Sequence, residues 1–324
     1  MSWLLGRMAQ AFLVVLVMTV IVFVGVSVIG DPVELLISPN ATQAERLRTI
    51  QDLGLDEPLW QQYADFLWNA AQGNLGNSFV YNIPAIQLIF QRMPATIELA
   101  LTAVVLSVAI GMPLGIYAGL YPERRSSKAI MALSVVAFSV PTFWVGLMLI
   151  MVVSVQLGWL PSAGRGQTVT ILGASWSFFT LDGLRHLLLP AFNLALFNIA
   201  LVLRLCRAGA KEAAGMDYVK FARAKGLSST RIVLVHITKN LLIPVVTVVG
   251  LEFGSIIAFS VVTESIFAWP GMGKLIIDSI NALDRPVIVA YLMVIVVMFV
   301  FINLVVDLTY TLIDPRVRPE ARNG

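Results

Sequence analysis

The 324-residue sequence holds a single cysteine, Cys206, and two histidines. One thiol rules out an internal disulfide, and so few soft ligands argue against a structural metal site. Charge is scarce as well. Only 13% of the residues are Asp, Glu, Lys or Arg, against about 25% in a typical soluble domain. The formal net charge of +3 supplies no broad basic field, so no nucleic-acid partner is expected. No tandem repeat or low-complexity tract interrupts the chain.

Apolar residues fill that space, at 58% of the total with a mean hydropathy of +0.85. This composition reads as an all-α polytopic membrane protein. Crossing a hydrocarbon core of about 30 Å takes about 20 helical residues. Six segments meet that length, near 9–29, 95–120, 129–158, 187–208, 241–266 and 286–313. The third is long enough to tilt or to break at Pro141. The apolar run of the first is longer than the ~7–15 residues of a secretory leader. It is therefore expected to be a retained span with Arg7 in the cytoplasm.

Basic residues set the orientation. With the N-terminus inside, 15 of the 22 Lys and Arg residues fall in inside segments and 7 outside. Eight of the inside ones, from Arg204 to Lys239, sit in and around a single loop. Both termini are thus expected in the cytoplasm, which agrees with an even number of spans. Residues 1–29 form the tail and first span. Residues 30–94 form an external segment, 95–313 a five-span core with a cytoplasmic loop at about 209–240, and 314–324 a cytoplasmic tail. The external segment has helical spacing at Leu47, Ile50 and Leu53, and again at Leu59, Tyr63, Phe66 and Leu67. Gly54 and Pro58 break it. Seven acids, including Glu45 and Asp65, suit water, and the segment reads as two short helices over the outer mouth.

The loop contains the run DYVKFARAKG, residues 217–226. On a helical wheel Tyr218, Phe221, Ala222 and Lys225 share one side, with Val219 at its margin. Lys220 and Arg223 turn towards the other. Asp217 suits an N-cap, and Gly226 suits the left-handed residue that ends a helix. A helix of about 8 residues is roughly 12 Å long and is not stable alone in water. It needs a surface. The wheel leaves three open: the cytoplasmic leaflet, with basic residues on anionic lipid; the chain's own span ends; and a groove in a soluble partner, with Tyr218 and Phe221 as anchors.

The surrounding run MDYVKFARAKGLSSTRIVLVHITKNLLIPVVTVVGLEFGSII resembles the cytoplasmic loop and following span of ABC-importer permeases of the dipeptide/oligopeptide group. Their loop motif is written E-A-A-x-x-x-G. Here Gly226 is its glycine, and Lys220, Phe221 and Ala222 occupy the first three places, with only the second alanine kept. A literal EAA at 212–214 lacks the required glycine, because Tyr218 stands there. LGLDEPLWQQY, SVPTFWVGLMLI, VVTESIFAWPGMGKLIIDSI and INLVVDLTYTLIDPRVR are similar to other parts of the same group, in the same order.

The resemblance implies that Asp217, Tyr218, Lys220, Phe221, Ala222, Arg223, Lys225 and Gly226 form a coupling helix seated in a groove of an ATPase subunit. It also implies the partners: a second similar permease, two ATPase chains that bind ATP and Mg, an external substrate-binding protein, membrane lipid and a peptide cargo. The location would be the bacterial cytoplasmic (inner) membrane. The same group also carries glutathione, nickel chelates, opines and some sugars.

The chain itself is expected to be non-catalytic, without a cofactor of its own. PGMGKL resembles the end of a P-loop, but Ala268 and Leu275 stand where Gly and Ser or Thr are needed. Acids within spans are costly and usually face protein or water. Glu252 is the most central, with two readings: contact with a peptide amino group, or a buried polar role beside Arg204 or Arg207. Glu264 is a second candidate for the path. Glu264 and Trp269 are expected near the outer mouth, where a binding protein would dock. Arg165 and His186 read as solvated loop residues, His236 as structural at the inner end of the fifth span, and Asn303 and Asp307 as structural. A gradient-driven transporter would favour paired carboxylates or inverted repeats, and neither stands out. A channel would not require a coupling helix.

Overall fold

The computed structural model describes residues 2–28, 42–52 and 56–313. The expected tail 314–324, the stretch 29–41 with Asp31 and Glu34, the Gly54 break within 53–55, and the side chains of Asp52 and Asp307 lie outside the described residues. Helices dominate. α1 spans Ser2–Val28, α2 Gln43–Asp52, α3 Leu59–Ala71 and α4 Ala85–Leu120. α5 spans Arg125–Ser139, and α6 spans Thr142–Leu149 and widens into a π-helical stretch, Ile150–Gln156. α7 spans Leu181–Gly215 and α8 Asp217–Ala224. α9 runs Ser229–Ile266 through a π-helical stretch at Ile232–Ile237. α10 spans Met272–Asn281 and α11 Arg285–Ile313.

Among the described residues, five helices are long and apolar enough to cross a membrane, and six if α5 and α6 count as one broken span. The expected break at Pro141 is present, as a bend of 107°. Its cause is local. A residue before proline is pushed out of the helical region, and Val140 is extended at φ −83° and ψ 134°. Pro141 then caps the next helix with φ −58°.

The chain divides into two compact units. The first holds residues 1–94 and 271–301. Within it, Thr42 and Glu45 form a capping box at the start of α2: Thr42 N–H donates to Glu45 Oε2 at 2.8 Å and Glu45 N–H to Thr42 Oγ1 at 3.3 Å. The Thr42 N–H and hydroxyl hold the Glu45 carboxyl below its ordinary pKa. Asp284, fully buried, ties the 78–80 turn to the start of α11. It accepts from Ser78 Oγ at 2.5 Å, Phe79 N–H at 3.1 Å and Val80 N–H at 3.3 Å.

The second unit holds residues 95–270 and 302–324. Here α4 crosses α7 in backbone contact. Gly111, Gly115 and Gly119 repeat every fourth residue, the spacing that lets membrane helices approach closely. A Cβ on each would run into the carbonyl oxygens of Ile199, Leu203 and Arg207 in turn, 2.8 Å from the first and 2.5 Å from the last. The loop after α6 carries an antiparallel hairpin absent from the sequence expectation, Val169–Ile171 paired with Ala174–Trp176. Its turn, Leu172–Gly173, has φ of 53° and 78°, both positive as a two-residue type I′ turn requires. Leu in that position hides the signal.

Replacing Gly115 with Leu should lower the stability of the purified chain by about 1–3 kcal/mol or more, because overpacked cores cannot relax freely. Gly25, with nothing near its Cβ direction, is the control. Thermal unfolding in detergent reads both, and equal losses would contradict the close-contact account.

Candidate functional site

The run 217–226 folds as expected into a short helix, α8. Met216, not Asp217, is its N-cap, with no side-chain cap bond. Asp217 is the first helical residue instead. There its carboxylate faces the positive end of the helix and accepts from Lys220 Nζ at 3.0 Å. The other end closes in a Schellman motif. Gly226 has φ +74°. Gly226 N–H donates to Arg223 O at 2.9 Å, and Leu227 N–H to Ala222 O at 3.2 Å. A side chain with a Cβ would be strained at that φ.

The faces differ from the wheel reading. Ala222 does not join Tyr218 and Phe221 on one docking side. It turns inward with Val219, at 4% and 0% exposure. Both enter an apolar cluster with Met112 and Ile116 of α4, Val202, Cys206, Ala210 and Ala213 of α7, and Ile232, Ile237, Leu241 and Val245 of α9. Leu227 packs on its margin, supplying the apolar contact that accompanies a Schellman end. Complete burial of a valine is worth about 1.5–3 kcal/mol, so Val219 is a main fastening of α8. The sequence reading left it marginal; its place three residues before Ala222, on the same side of a helix, was the available signal.

The opposite face is open. Phe221 is 61% exposed and Tyr218 39%. Lys225 Nζ lies 4.5 Å from the Phe221 ring centroid, and Asn240 Nδ2 donates to Tyr218 Oη at 2.7 Å. These bonds stiffen the outward aromatics without covering them. Lys220, Arg223 and Lys225 are exposed around them. The helix thus has one face bolted to the ends of three spans and one apolar, cation-rimmed face turned away.

The remaining candidates are elsewhere. Glu252 is half-buried midway along α9, and neither Arg204 nor Arg207 pairs with it among the described residues. Arg204 instead donates to Ala200 O at 3.2 Å and stands 4.5 Å over Phe138. Glu264 and Trp269 are each 0% exposed. Glu264 accepts from Thr96 Oγ1 at 2.7 Å and Ser260 Oγ at 3.0 Å. Trp269 Nε1–H donates to Ala95 O at 2.9 Å. A fully buried indole offers nothing to a soluble partner, so Trp269 is corrected from a docking residue to a packing one. Glu264 is withdrawn from the protein surface in the same way.

Arg165 is likewise not a solvated loop residue. Its Nη2 meets buried Glu98 Oε2 at 2.5 Å and Ser175 O at 2.6 Å. Ser177 N–H donates to Glu98 Oε1 at 2.7 Å, and the Ser177 hydroxyl also bonds that oxygen. The loop between α6 and α7 is thereby clamped to α4 through paired charges that sequence spacing did not connect. His186 Nδ1 lies 2.8 Å from Asp182 O, and His236 is half-buried in the π-helical stretch of α9. Lys274, at the P-loop lysine place, is held by Asp278 Oδ2 at 2.8 Å.

Two family models match the sequence. One describes the binding-protein-dependent transport system inner membrane component and covers residues 111–319; the other describes the N-terminal part of such membrane components and covers residues 1–100. The di/tripeptide transport system permease protein DppB of Pseudomonas aeruginosa is 39% identical over 303 residues, covering 89% of this chain and 90% of that protein. The glutathione transport system permease protein GsiC of Escherichia coli is 38% identical over 316 residues, covering 97% of each. Among solved structures, the inward-facing MetNI methionine ABC transporter is similar with a TM-score of 0.52 at 14% identity, over 70% of this chain and 97% of that one. That likeness bears on fold alone.

Substituting Val219 with Asp should cost the isolated chain about 4 kcal/mol, since it buries an unpaired charge. Phe221→Asp should change stability by less than about 0.5 kcal/mol, as an exposed substitution does. Unfolding of the two variants in detergent checks the assignment of the faces; the reverse order would invert it.

Proposed function

The chain belongs to the family of binding-protein-dependent transport system inner membrane components, and from that premise we propose that it is one membrane half of an ATP-driven importer of di- and oligopeptides. The observation that carries this reading is the two-faced helix α8, joined with 39% identity to a di/tripeptide permease over most of the chain. The remaining parts are a second similar permease, two ATPase chains that supply ATP and Mg chemistry, and an external binding protein. The chain stands in the bacterial inner membrane with both termini and α8 on the cytoplasmic side, in keeping with its excess of basic residues there.

In this reading Tyr218 and Phe221 are the anchors in the ATPase groove, and Lys220, Arg223 and Lys225 pair with acids at its rim. Asp217 and Gly226 set where the helix begins and ends. Val219 and Ala222 make the helix one body with the ends of α4, α7 and α9. A shift of the ATPase on binding ATP therefore moves those ends directly. ATP contributes through its differential affinity for two packings of the bundle, open inward or open outward. No step of hydrolysis belongs to this chain. Glu252, half-buried and without a charged partner among the described residues, is the proposed contact for a cationic peptide terminus along the path.

A permease named for di- and tripeptides is 39% identical to this chain and one named for glutathione 38%. Glutathione is itself a tripeptide, so both names support a short-peptide cargo. A nickel chelate, opine or sugar would rest on resemblance alone. Selection is assigned to the external binding protein.

The test uses the assembled importer in proteoliposomes with its binding protein. Phe221→Asp should abolish ATP-dependent peptide uptake while the chain remains folded and inserted. Normal uptake would overturn the docking role of Phe221. Unaltered flux without any ATPase would favour a channel or gradient-driven carrier instead.

A further inference from the structure

Helix α3 was expected to lie in water over the outer mouth, and its contacts place it elsewhere. Tyr63 Oη lies 2.8 Å from Thr19 Oγ1 of α1. The Phe23 ring packs against Tyr63 and Phe66 with centroids 5.3 and 5.9 Å apart. Both α1 residues belong to the candidate span Gly6–Gly25, of which only 11% is buried inside the protein. Thr19 is six residues before the end of that span, or ~9 Å along the axis at about 1.5 Å per residue. Whatever packs beside Thr19 and Phe23 sits at the depth of the bilayer's outer hydrocarbon and headgroup layers.

The rest of α3 fits that depth. Tyr63, Phe66 and Ala70 form the side turned to the protein. Gln61, Gln62, Asp65 and Asn69 gather on the far side of the wheel. The sector between them is apolar and uncovered. Trp60 and Trp68, two helical turns apart, are 72% and 70% exposed, and Ala64 between them is exposed too. A soluble face would not hold two bare indoles in line, whereas tryptophan is the residue enriched where bilayer meets water. A groove of about 410 Å³ opens beside the C-terminal end of the helix, lined by apolar side chains that include Ala70, Leu75, Phe90, Met93, Val297 and Phe301. It offers room for an acyl chain on the side of the helix that Ala70 presents, away from the tryptophans.

We infer that α3 is an interfacial helix, and that its Trp60–Ala64–Trp68 stripe rests on phospholipid of the outer leaflet. The polar sector with Asp65 then faces water. The contacts to Thr19 and Phe23 fix the depth, so the helix works as a float that holds the first span and the external segment at one height in the membrane. This inference is independent of cargo and of ATP coupling.

The full chain is placed in liposomes in a Cys206→Ala background, with an environment-sensitive fluorophore at Trp60→Cys, Trp68→Cys or Asp65→Cys. Phosphatidylcholine with brominated acyl chains should quench the first two about two-fold and the third by less than about a tenth, with aqueous iodide giving the opposite order. Iodide quenching at positions 60 and 68 without lipid quenching would put the stripe in water. Shielding that arises only on adding a second permease or the binding protein would make it a protein interface. Either result overturns the inference. Native fluorescence supplies a second arm with Cys206 retained: the brominated-lipid-quenchable fraction should fall in a Trp60→Phe, Trp68→Phe double variant, and an unchanged fraction counts against lipid contact.

Discussion

The burial of Val219 and Ala222 in the cluster shared by α4, α7 and α9 is the contact on which the rest of the functional account depends. Eight helical residues do not hold themselves together in water. α8 exists because two small apolar side chains are withdrawn from solvent, and because a Schellman turn at Gly226 satisfies its last carbonyls. The same burial makes the helix inseparable from the span ends. Leu241 and Ile237 on one side and Ala210 and Ala213 on the other belong to the same cluster, so a displacement of the helix is a displacement of all of them. With its inward face committed, its outward face is free for a partner.

Stiffness is needed along the rest of the path. The carbonyl contacts of Gly111, Gly115 and Gly119 with α7 leave little room for sliding between α4 and α7 at this crossing. Away from that crossing, Glu98 and Arg165 clamp a loop to α4, and the Trp269 N–H bond to Ala95 O fixes the turn after α9. These polar pairs are buried and satisfied, which is the condition under which buried charge rigidifies rather than destabilises. A unit held in this way is suited to two discrete packings instead of gradual bending.

Much of this was legible in the sequence, and the reasons differ by residue. The spans follow from hydropathy, the break at Pro141 from proline's effect on its neighbour, and the helix end at Gly226 from the φ that glycine tolerates. The spacing of Gly111, Gly115 and Gly119 suits close helix approach in general, but nothing in it names α7 as the neighbour. The faces of α8 were misjudged for Ala222, because a wheel gives directions without saying which direction is protein. Trp269 and Arg165 were misplaced because loop position suggested water. Their burial depends on Ala95 and Glu98, which lie more than sixty residues away in sequence and carry no local signal. The Leu172–Gly173 hairpin was missed because leucine at a positive φ runs against turn chemistry.

The most direct measurement is site-specific photo-crosslinking in native membranes, with a benzoylphenylalanine placed in turn at Phe221 and at Val219. If α8 is bolted inward by one face and docked outward by the other, position 221 should crosslink to an ATPase chain. Position 219 should give only crosslinks within this chain. Crosslinks from position 221 to lipid alone, with none to an ATPase, would contradict the account and leave α8 a helix on the membrane surface.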